Sequence, residues 1–298
     1  DYLYDSYNHE ILAVVTNQDK KSGRKQKVKS TPIKDFALNK KIKLIEQDDL
    51  LDKNFIKQLK LLKADMFLVI AYKIIPKEVY SIPKYKSINL HASLLPKYKG
   101  STPIQRAIIN NENETGLSSF YIDESVDGGE VICQERIEIS SSDTFGTLWK
   151  SLFEKSGEFI AKTLKLIQND ETDLIYRDRD IKTSYAFKID KKELLINWEL
   201  DALILHNKIR AFSPYPCMYT KYDNIRVKII TSRLTDFKSN KSLPGSIIVD
   251  NNRLFVKCGD LFIQILSLQP ESKKILSDKD FINGFLNKVN LIDMHAFS

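Results

Sequence analysis

Three polar side chains stand where together they could move a proton. Asn89 and His91 lie two residues apart in the run Ile88-Asn89-Leu90-His91-Ala92, which reads as a strand. Side chains alternate along a strand, so both point to one face, opposite Ile88, Leu90 and Ala92. Pro96 cannot continue the strand, so the chain turns out just past His91. Asp127 follows in the acidic turn Asp123-Glu124-Ser125-Val126-Asp127-Gly128-Gly129. An amide, an imidazole and a carboxylate that converge make a proton-transfer site. Each residue alone has a plainer reading: a structural histidine near a strand end, or a turn aspartate before glycine.

The elements around these residues set where they could meet. Ile11 to Val15 reads as a buried strand, and Met66 to Ala71 as another. Continuous apolar runs of this kind suit a parallel sheet covered on both faces. Leu50 to Leu62 has helical spacing, Pro76 to Tyr80 is a short helix, and Thr102-Pro103 opens a helix through Asn110. Leu117 to Ile122 is a strand leading into the acidic turn, and Glu130 to Ile139 returns from it. Asp143 is expected to cap a long helix. Its stripe of Phe145, Leu148, Trp149, Leu152, Phe153, Phe159, Ile160, Leu164 and Ile167 reads as core. This strand–helix alternation predicts an α/β, Rossmann-like N-terminal domain over residues 1–178. In such sheets ligands sit at the carboxyl ends of strands, which is where Asn89 and His91 fall.

Residues 179–197 are charged and irregular and suit a linker. Over residues 198–298 a helix, Leu200 to Phe212, is followed by short strands: Met218 to Tyr222, Arg226 to Ile230, Ser246 to Val249, Arg253 to Lys257 and Leu261 to Leu266. Five short strands with turns at Asn251-Asn252 and Cys258-Gly259-Asp260 predict a small OB-like β-barrel.

Charge narrows the partners. The net charge is +7 and the pI near 9.0, which favours an anionic partner. Residues 198–298 carry 14 basic against 10 acidic residues, and residues 1–197 carry 32 against 29, so the second part is the more basic per residue. The densest cluster is Lys20, Lys21, Arg24, Lys25, Lys27, Lys29 and Lys34, in a stretch with almost no apolar residues. It reads as a solvated loop that a polyanion would attract strongly. Cys133, Cys217 and Cys258 form no Cys-x-x-Cys pair, which argues against a disulfide framework or a zinc site. No metal is expected, because the four histidines show no ligand spacing either, and His206 on its helix reads as structural. No apolar run approaches a membrane span. A reducing cytoplasm is the expected compartment.

The pattern Asn-x-His-x-Ser-Leu-Leu-Pro-x-x-x-Gly over Asn89 to Gly100, followed by Asp127-Gly128-Gly129, resembles the folate-dependent formyltransferases. From about Leu3 to about Gly284 the chain is similar to the methionyl-tRNA formyltransferase family within them. That resemblance implies that Asn89, His91 and Asp127 are catalytic and that Ser93, Leu94, Leu95 and Pro96 lie against the tetrahydrofolate. It implies 10-formyltetrahydrofolate as co-substrate and initiator methionyl-tRNA as acceptor, in a bacterial or organellar translation compartment, with the enzyme a monomer. Lys20, Lys21, Arg24, Lys25, Lys27 and Lys29 would then form the loop that wedges into the tRNA acceptor stem, with Arg24 matching that loop's arginine. The barrel after the linker, with Lys273-Lys274 after Gln269-Pro270, matches the family's tRNA-binding ending. Two departures stand out. The family's opening strand and Gly-Thr-Pro-x-Phe loop are not in this sequence, and without that strand its central neighbours would be left unpaired. Lys73 stands where the family has glycine after Ala-Tyr. Two alternatives remain: a formyltransferase acting on a nucleotide sugar or glycinamide ribonucleotide, and a non-catalytic tRNA-binding relic.

Overall fold

The computed structural model describes residues 2–6, 9–22, 27–172, 182–239 and 242–286. The chain divides into two compact units. The first comprises residues 1–99, 117–135 and 154–183, and the second residues 100–116, 136–153 and 184–298.

In chain order the strands up to the acidic turn are β1 (Val14–Thr16), β2 (Lys20–Ser22), β3 (Lys27–Lys29), β4 (Leu44–Glu46), β5 (Phe67–Ile70), β6 (Ser87–His91), β7 (Lys99–Gly100) and β8 (Glu114–Tyr121), and β9 (Val131–Glu138) follows it. The helices are α1 (Tyr2–Asp5), α2 (Pro32–Asn39), α3 (Lys53–Leu62), α4 (Lys77–Tyr80), α5 (Pro103–Ile109) and α6 (Phe145–Gln168). Their starts follow from local chemistry. Thr31 accepts from the Lys34 N–H ahead of Pro32 at the first turn of α2. The Asp52 carboxylate accepts from the Phe55 N–H at 2.8 Å to open α3. Phe55 and Leu59, one turn apart on α3, then bury against Ile45, Leu50 and Val79. Thr144 rather than Asp143 caps α6: its hydroxyl accepts from the Thr147 N–H, while Asp143 accepts from the Thr147 hydroxyl.

The first unit has an interrupted sheet. β1 and β4 pair in parallel, and β5, β6, β8 and β9 form a separate four-stranded sheet in that order. Among the described residues no ladder joins β4 to β5, although Val15, Ile45 and Phe67 share one apolar cluster. β5, read as doubly covered, leaves Ile70 52% exposed.

The apolar stripe of α6 also departs from expectation. Leu148, Leu152, Phe159, Ile160 and Ile167 are buried, whereas Trp149 and Phe153 are exposed and stack on one another at 5.2 Å. The stripe was read as wider than the face that packs.

The second unit holds β10 (Tyr185–Ala186), α7 (Ala202–Ala211), β11 (Met218–Tyr222), β12 (Ile225–Leu234), β13 (Ile247–Asp250), β14 (Arg253–Lys257), β15 (Phe262–Pro270) and β16 (Leu276–Ser277). The last six strands make one antiparallel sheet in the order β11-β12-β15-β14-β13, with β16 on β15. Its five longer strands are those read from the sequence, and β11 and β13 stand at the two ends of the pairing path. Register shifts between Ile229 and Ser232 bend β12. Inward residues Met218, Val227, Ile229, Leu254, Val256, Ile263 and Ile265 join Leu205, Ile209 and Phe212 of the α7 segment in one core. Trp198 is buried in it and donates from Nε1 to the Thr220 hydroxyl at 3.1 Å.

Candidate active site

Strand β6 is held on both sides. It pairs in parallel with β5, with Val69 opposite Asn89. On its other edge it is antiparallel to β8, with His91 opposite Ser118. Ile88 is fully buried against Ile132 and Ile167, which fixes which face Asn89 and His91 present.

His91 is held between two partners. Its Nε2 lies 2.9 Å from the Tyr98 carbonyl oxygen. A carbonyl only accepts, so Nε2 carries the hydrogen. Its Nδ1 faces Asp127 Oδ2 at 3.6 Å, with side-chain exposures of 7% for the histidine and 14% for the aspartate. This separation is longer than a hydrogen bond but short enough for an imidazolium and a carboxylate to attract strongly in a shielded site. With Nε2 committed to the Tyr98 carbonyl, Nδ1 is the nitrogen left facing Asp127. Both partners are held in the left-handed region, Tyr98 at φ 59° and Asp127 at φ 47°.

The turn that delivers Asp127 needs its glycines for space. A Cβ on Gly128 would lie 1.8 Å from the Ser125 hydroxyl oxygen, and one on Gly129 would lie 1.6 Å from the Tyr121 carbonyl oxygen. Asp123 ties the turn by accepting from the N–H and the hydroxyl of Ser125. Asn89 completes the trio. Its Oδ1 is buried and finds no hydrogen-bond partner among the described residues. An orphaned buried acceptor costs about 1–3 kcal/mol, which a bound donor would recover.

The segment after His91 is packed inward more than its sequence implies. Ser93 is fully buried, and its hydroxyl donates to the Lys97 carbonyl at 2.6 Å. Leu95 is buried against Phe120 and Val131, and Pro96 is also buried, which leaves Leu94 half-buried. Ser93 and Leu95 shape this loop with their side chains, so its outward surface is backbone and Leu94. Tyr98 was not a candidate from sequence, because it acts through its carbonyl, which any residue type carries.

The basic stretch forms a hairpin. β2 and β3 are antiparallel with Lys20 opposite Lys29, Lys21 opposite Val28 and Ser22 opposite Lys27. Arg24 and Lys25 lie outside the described residues. Lys34 is held by two carboxylates. It donates to Asp19 at 2.8 Å and to Glu46 at 2.7 Å, and these bonds hold its ammonium above the usual lysine range. The three cysteines are free and buried, and burial pushes the Cys258 thiol up to about 12. Among the described residues no group of three or more His, Cys, Asp or Glu is placed to hold a metal ion. No helix among them is long and apolar enough to cross a membrane.

Residues 2–164 match the family model described as formyl transferase, and residues 188–286 match formyl transferase, C-terminal domain. The methionyl-tRNA formyltransferase of Thermodesulfovibrio yellowstonii is 38% identical over 286 residues, covering 96% of this chain and 91% of that one. The chain belongs to the methionyl-tRNA formyltransferase family. The relative from Fusobacterium nucleatum is 35% identical over 284 residues, with 94% and 91% covered. Among solved structures, the sugar 3N-formyltransferase WlaRD, crystallised in the presence of dTDP and 5-N-formyl-THF, superposes with a TM-score of 0.60 at 25% identity, covering 88% of each chain. In this formyltransferase family member, the His91–Asp127 pair lies at the end of β6 in the first unit, and the orphaned Asn89 oxygen belongs to the residue two positions earlier on that strand.

Proposed function

We propose that this chain transfers the formyl group of 10-formyltetrahydrofolate to the α-amino group of initiator methionyl-tRNA, giving N-formylmethionyl-tRNA for translation initiation. The observation that carries this reading is His91, pinned through Nε2 and facing Asp127 through Nδ1, on the same strand face as Asn89. Attack of the amine on the formyl carbon forms a C–N bond and puts negative charge on the formyl oxygen. Collapse of that oxyanion breaks the bond from the formyl carbon to the folate nitrogen, so the attacking nitrogen must lose a proton and the leaving nitrogen must gain one. The Asn89 amide N–H₂ donates to the oxyanion, and its unpaired Oδ1 accepts from the amine. His91 holds the proton in transit at Nδ1, and Asp127 stabilises the imidazolium. The Tyr98 bond keeps Nε2 occupied, so oxyanion donation falls to Asn89 rather than to the imidazole.

In this reading residues 1–178 carry catalysis, 179–197 link, and 198–298 bind tRNA, with the enzyme working as a monomer in the translation compartment of a bacterium or organelle. Ser93 to Pro96 receive the folate. Lys20, Lys21, Arg24, Lys25, Lys27 and Lys29 meet the acceptor stem. The outer face of β11 and β12 supports the tRNA assignment: Tyr219 pairs with Lys228 and Lys221 with Arg226, and the Arg226 guanidinium sits 3.8 Å from the Tyr219 ring centre. Cations beside an aromatic plane suit a nucleic-acid backbone and its bases. Named methionyl-tRNA formyltransferases at 38% and 35% identity, covering 96% and 94% of this chain, favour the tRNA acceptor.

The test is formyl transfer from 10-formyltetrahydrofolate to charged initiator tRNA. His91→Ala and Asp127→Ala should each lose on the order of 10²-fold or more in turnover. Near-normal turnover in both would sink the site, and transfer to an amino-sugar nucleotide but not to methionyl-tRNA would overturn the acceptor.

A further inference from the structure

The backbone of Ser93 to Leu95 is held by two side chains from the neighbouring strands. Ser118, on β8 and fully buried, donates its hydroxyl hydrogen to the Ser93 carbonyl at 2.6 Å. The same oxygen accepts from the Leu95 N–H at 3.1 Å and from Gln134 Nε2 at 2.8 Å. A hydroxyl has one hydrogen and two acceptor sites, so Ser118 is saturated. Gln134, on β9, uses its second amide hydrogen on the Leu95 carbonyl at 2.9 Å. Both hydrogens of Nε2 are therefore spent, and the amide has one workable orientation, because its oxygen cannot donate to either acceptor. Leu95 belongs to no helix or strand, yet its N–H and C=O are both satisfied, each by a side chain. His91 is held separately, by Tyr98 and Asp127.

We propose that Ser118 and Gln134 are positioning residues for the folate-receiving loop, setting the course of its backbone from Ser93 to Leu95 and hence affinity for the co-substrate. This rests on the reading of Ser93 to Pro96 as the folate surface. Residue type specifies the device. Glutamate at position 134 matches glutamine in shape but as a carboxylate offers no donor, so it loses both bonds. Alanine at 118 removes three bonds at once and leaves the Leu95 N–H without its acceptor.

The experiment uses the full chain with Gln134→Glu, Ser118→Ala and Ser118→Thr. Binding of 5-formyltetrahydrofolate by equilibrium dialysis is read beside steady-state transfer to methionyl-tRNA. Gln134→Glu and Ser118→Ala should each weaken folate binding and raise the folate KM by about tenfold, the order expected for a lost buried bond. The KM for tRNA and kcat should stay within about threefold. Ser118→Thr, which keeps the hydroxyl, should restore most of what Ser118→Ala loses. Amide exchange at Leu95 should accelerate in Ser118→Ala while the core of the second unit stays protected, a readout that needs no activity. Unchanged folate affinity in Gln134→Glu and Ser118→Ala, with wild type binding folate and active, overturns this inference and leaves the proposed function standing. An equal fall for both substrates together with global loss of protection also overturns it, since the residues would then serve only stability. Wild type that binds no folate removes the reading beneath it, and this inference falls with it.

Discussion

Replacing Gly129 by alanine tests whether the acidic turn is what places the carboxylate of Asp127. The new Cβ would lie 1.6 Å from the Tyr121 carbonyl oxygen and 2.8 Å from its carbon. An unbonded carbon approaches a carbonyl oxygen to about 3.3 Å, so something must move by roughly 1.7 Å. Tyr121 cannot yield readily: it is in register with Ile88 of β6, and its N–H donates to the Glu130 carbonyl at 3.0 Å. The turn must move instead, and Asp127 is two residues away. Its 3.6 Å separation from Nδ1 of His91 would open toward about 5 Å, and misplacement by 1 Å alone can cost about 10²-fold in rate. The expected outcome is a kcat lower by at least about 10²-fold in formyl transfer, with the folate KM little changed. A paired variant sharpens the test. The clash made by Gly128→Ala is with the Ser125 side chain, so adding Ser125→Gly should restore much of its activity, while the same addition should do nothing for Gly129→Ala. A folded Gly129→Ala protein with kcat within about threefold of wild type would refute the positioning argument.

Three further outcomes follow from the geometry. Arg210 is 5% exposed and donates to Asn207 Oδ1 at 3.0 Å and to the Asp143 carbonyl at 3.1 Å; Arg210→Leu should lower unfolding free energy by about 2–4 kcal/mol in urea titration, and a change under about 0.5 would contradict that role. Burial, with the Arg210 charge adding to it, holds His206 below its ordinary 6.5, so the unfolded chain binds this proton more readily and stability should fall as pH drops below about 6.5. Unfolding midpoints at about pH 8 and pH 5.5 should show this in wild type and less of it in His206→Asn; an equal fall in both would discard the linkage. Arg24→Ala should weaken tRNA binding and flatten its salt dependence by about one unit of slope, whereas Lys34→Met, whose ammonium is engaged by Asp19 and Glu46, should leave the slope unchanged.

The parts of the candidate site legible in sequence are those defined by residue type and spacing. Asn89 and His91 share a face because strand period is two, and Asp127 is flagged by the two glycines behind it. Tyr98 is invisible in sequence because its contribution is a carbonyl. Ser118 and Gln134 carry no signal because a serine and a glutamine on strands are ordinary until their partners are known. The hairpin at Lys20 to Lys29 escaped because its ladder is backbone pairing without apolar alternation. β11 and β14 were read to the residue, but β12 and β15 run longer than expected. The register shift between Ile229 and Ser232 breaks the alternation that would have revealed their length. Trp149 and Phe153 were misjudged as core because helical spacing shows a stripe but not how wide the packing surface is.

The stacked pair on α6 also decides what light can report. The chain has two tryptophans, Trp149 and Trp198, and both lie in the second unit. Trp198 is 5% exposed, while Trp149 is 49% exposed and rests on Phe153. Their emission should therefore separate into a blue, iodide-resistant component from Trp198 and a redder, quenchable one from Trp149. The unit that carries Asn89, His91 and Asp127 contributes neither, so it is silent in tryptophan emission. An unfolding curve followed by tryptophan fluorescence would trace the loss of the second unit's core and pass over a first unit that had melted earlier or later. A single tryptophan placed at Phe67, within the apolar cluster beside β5, would give that half its own signal.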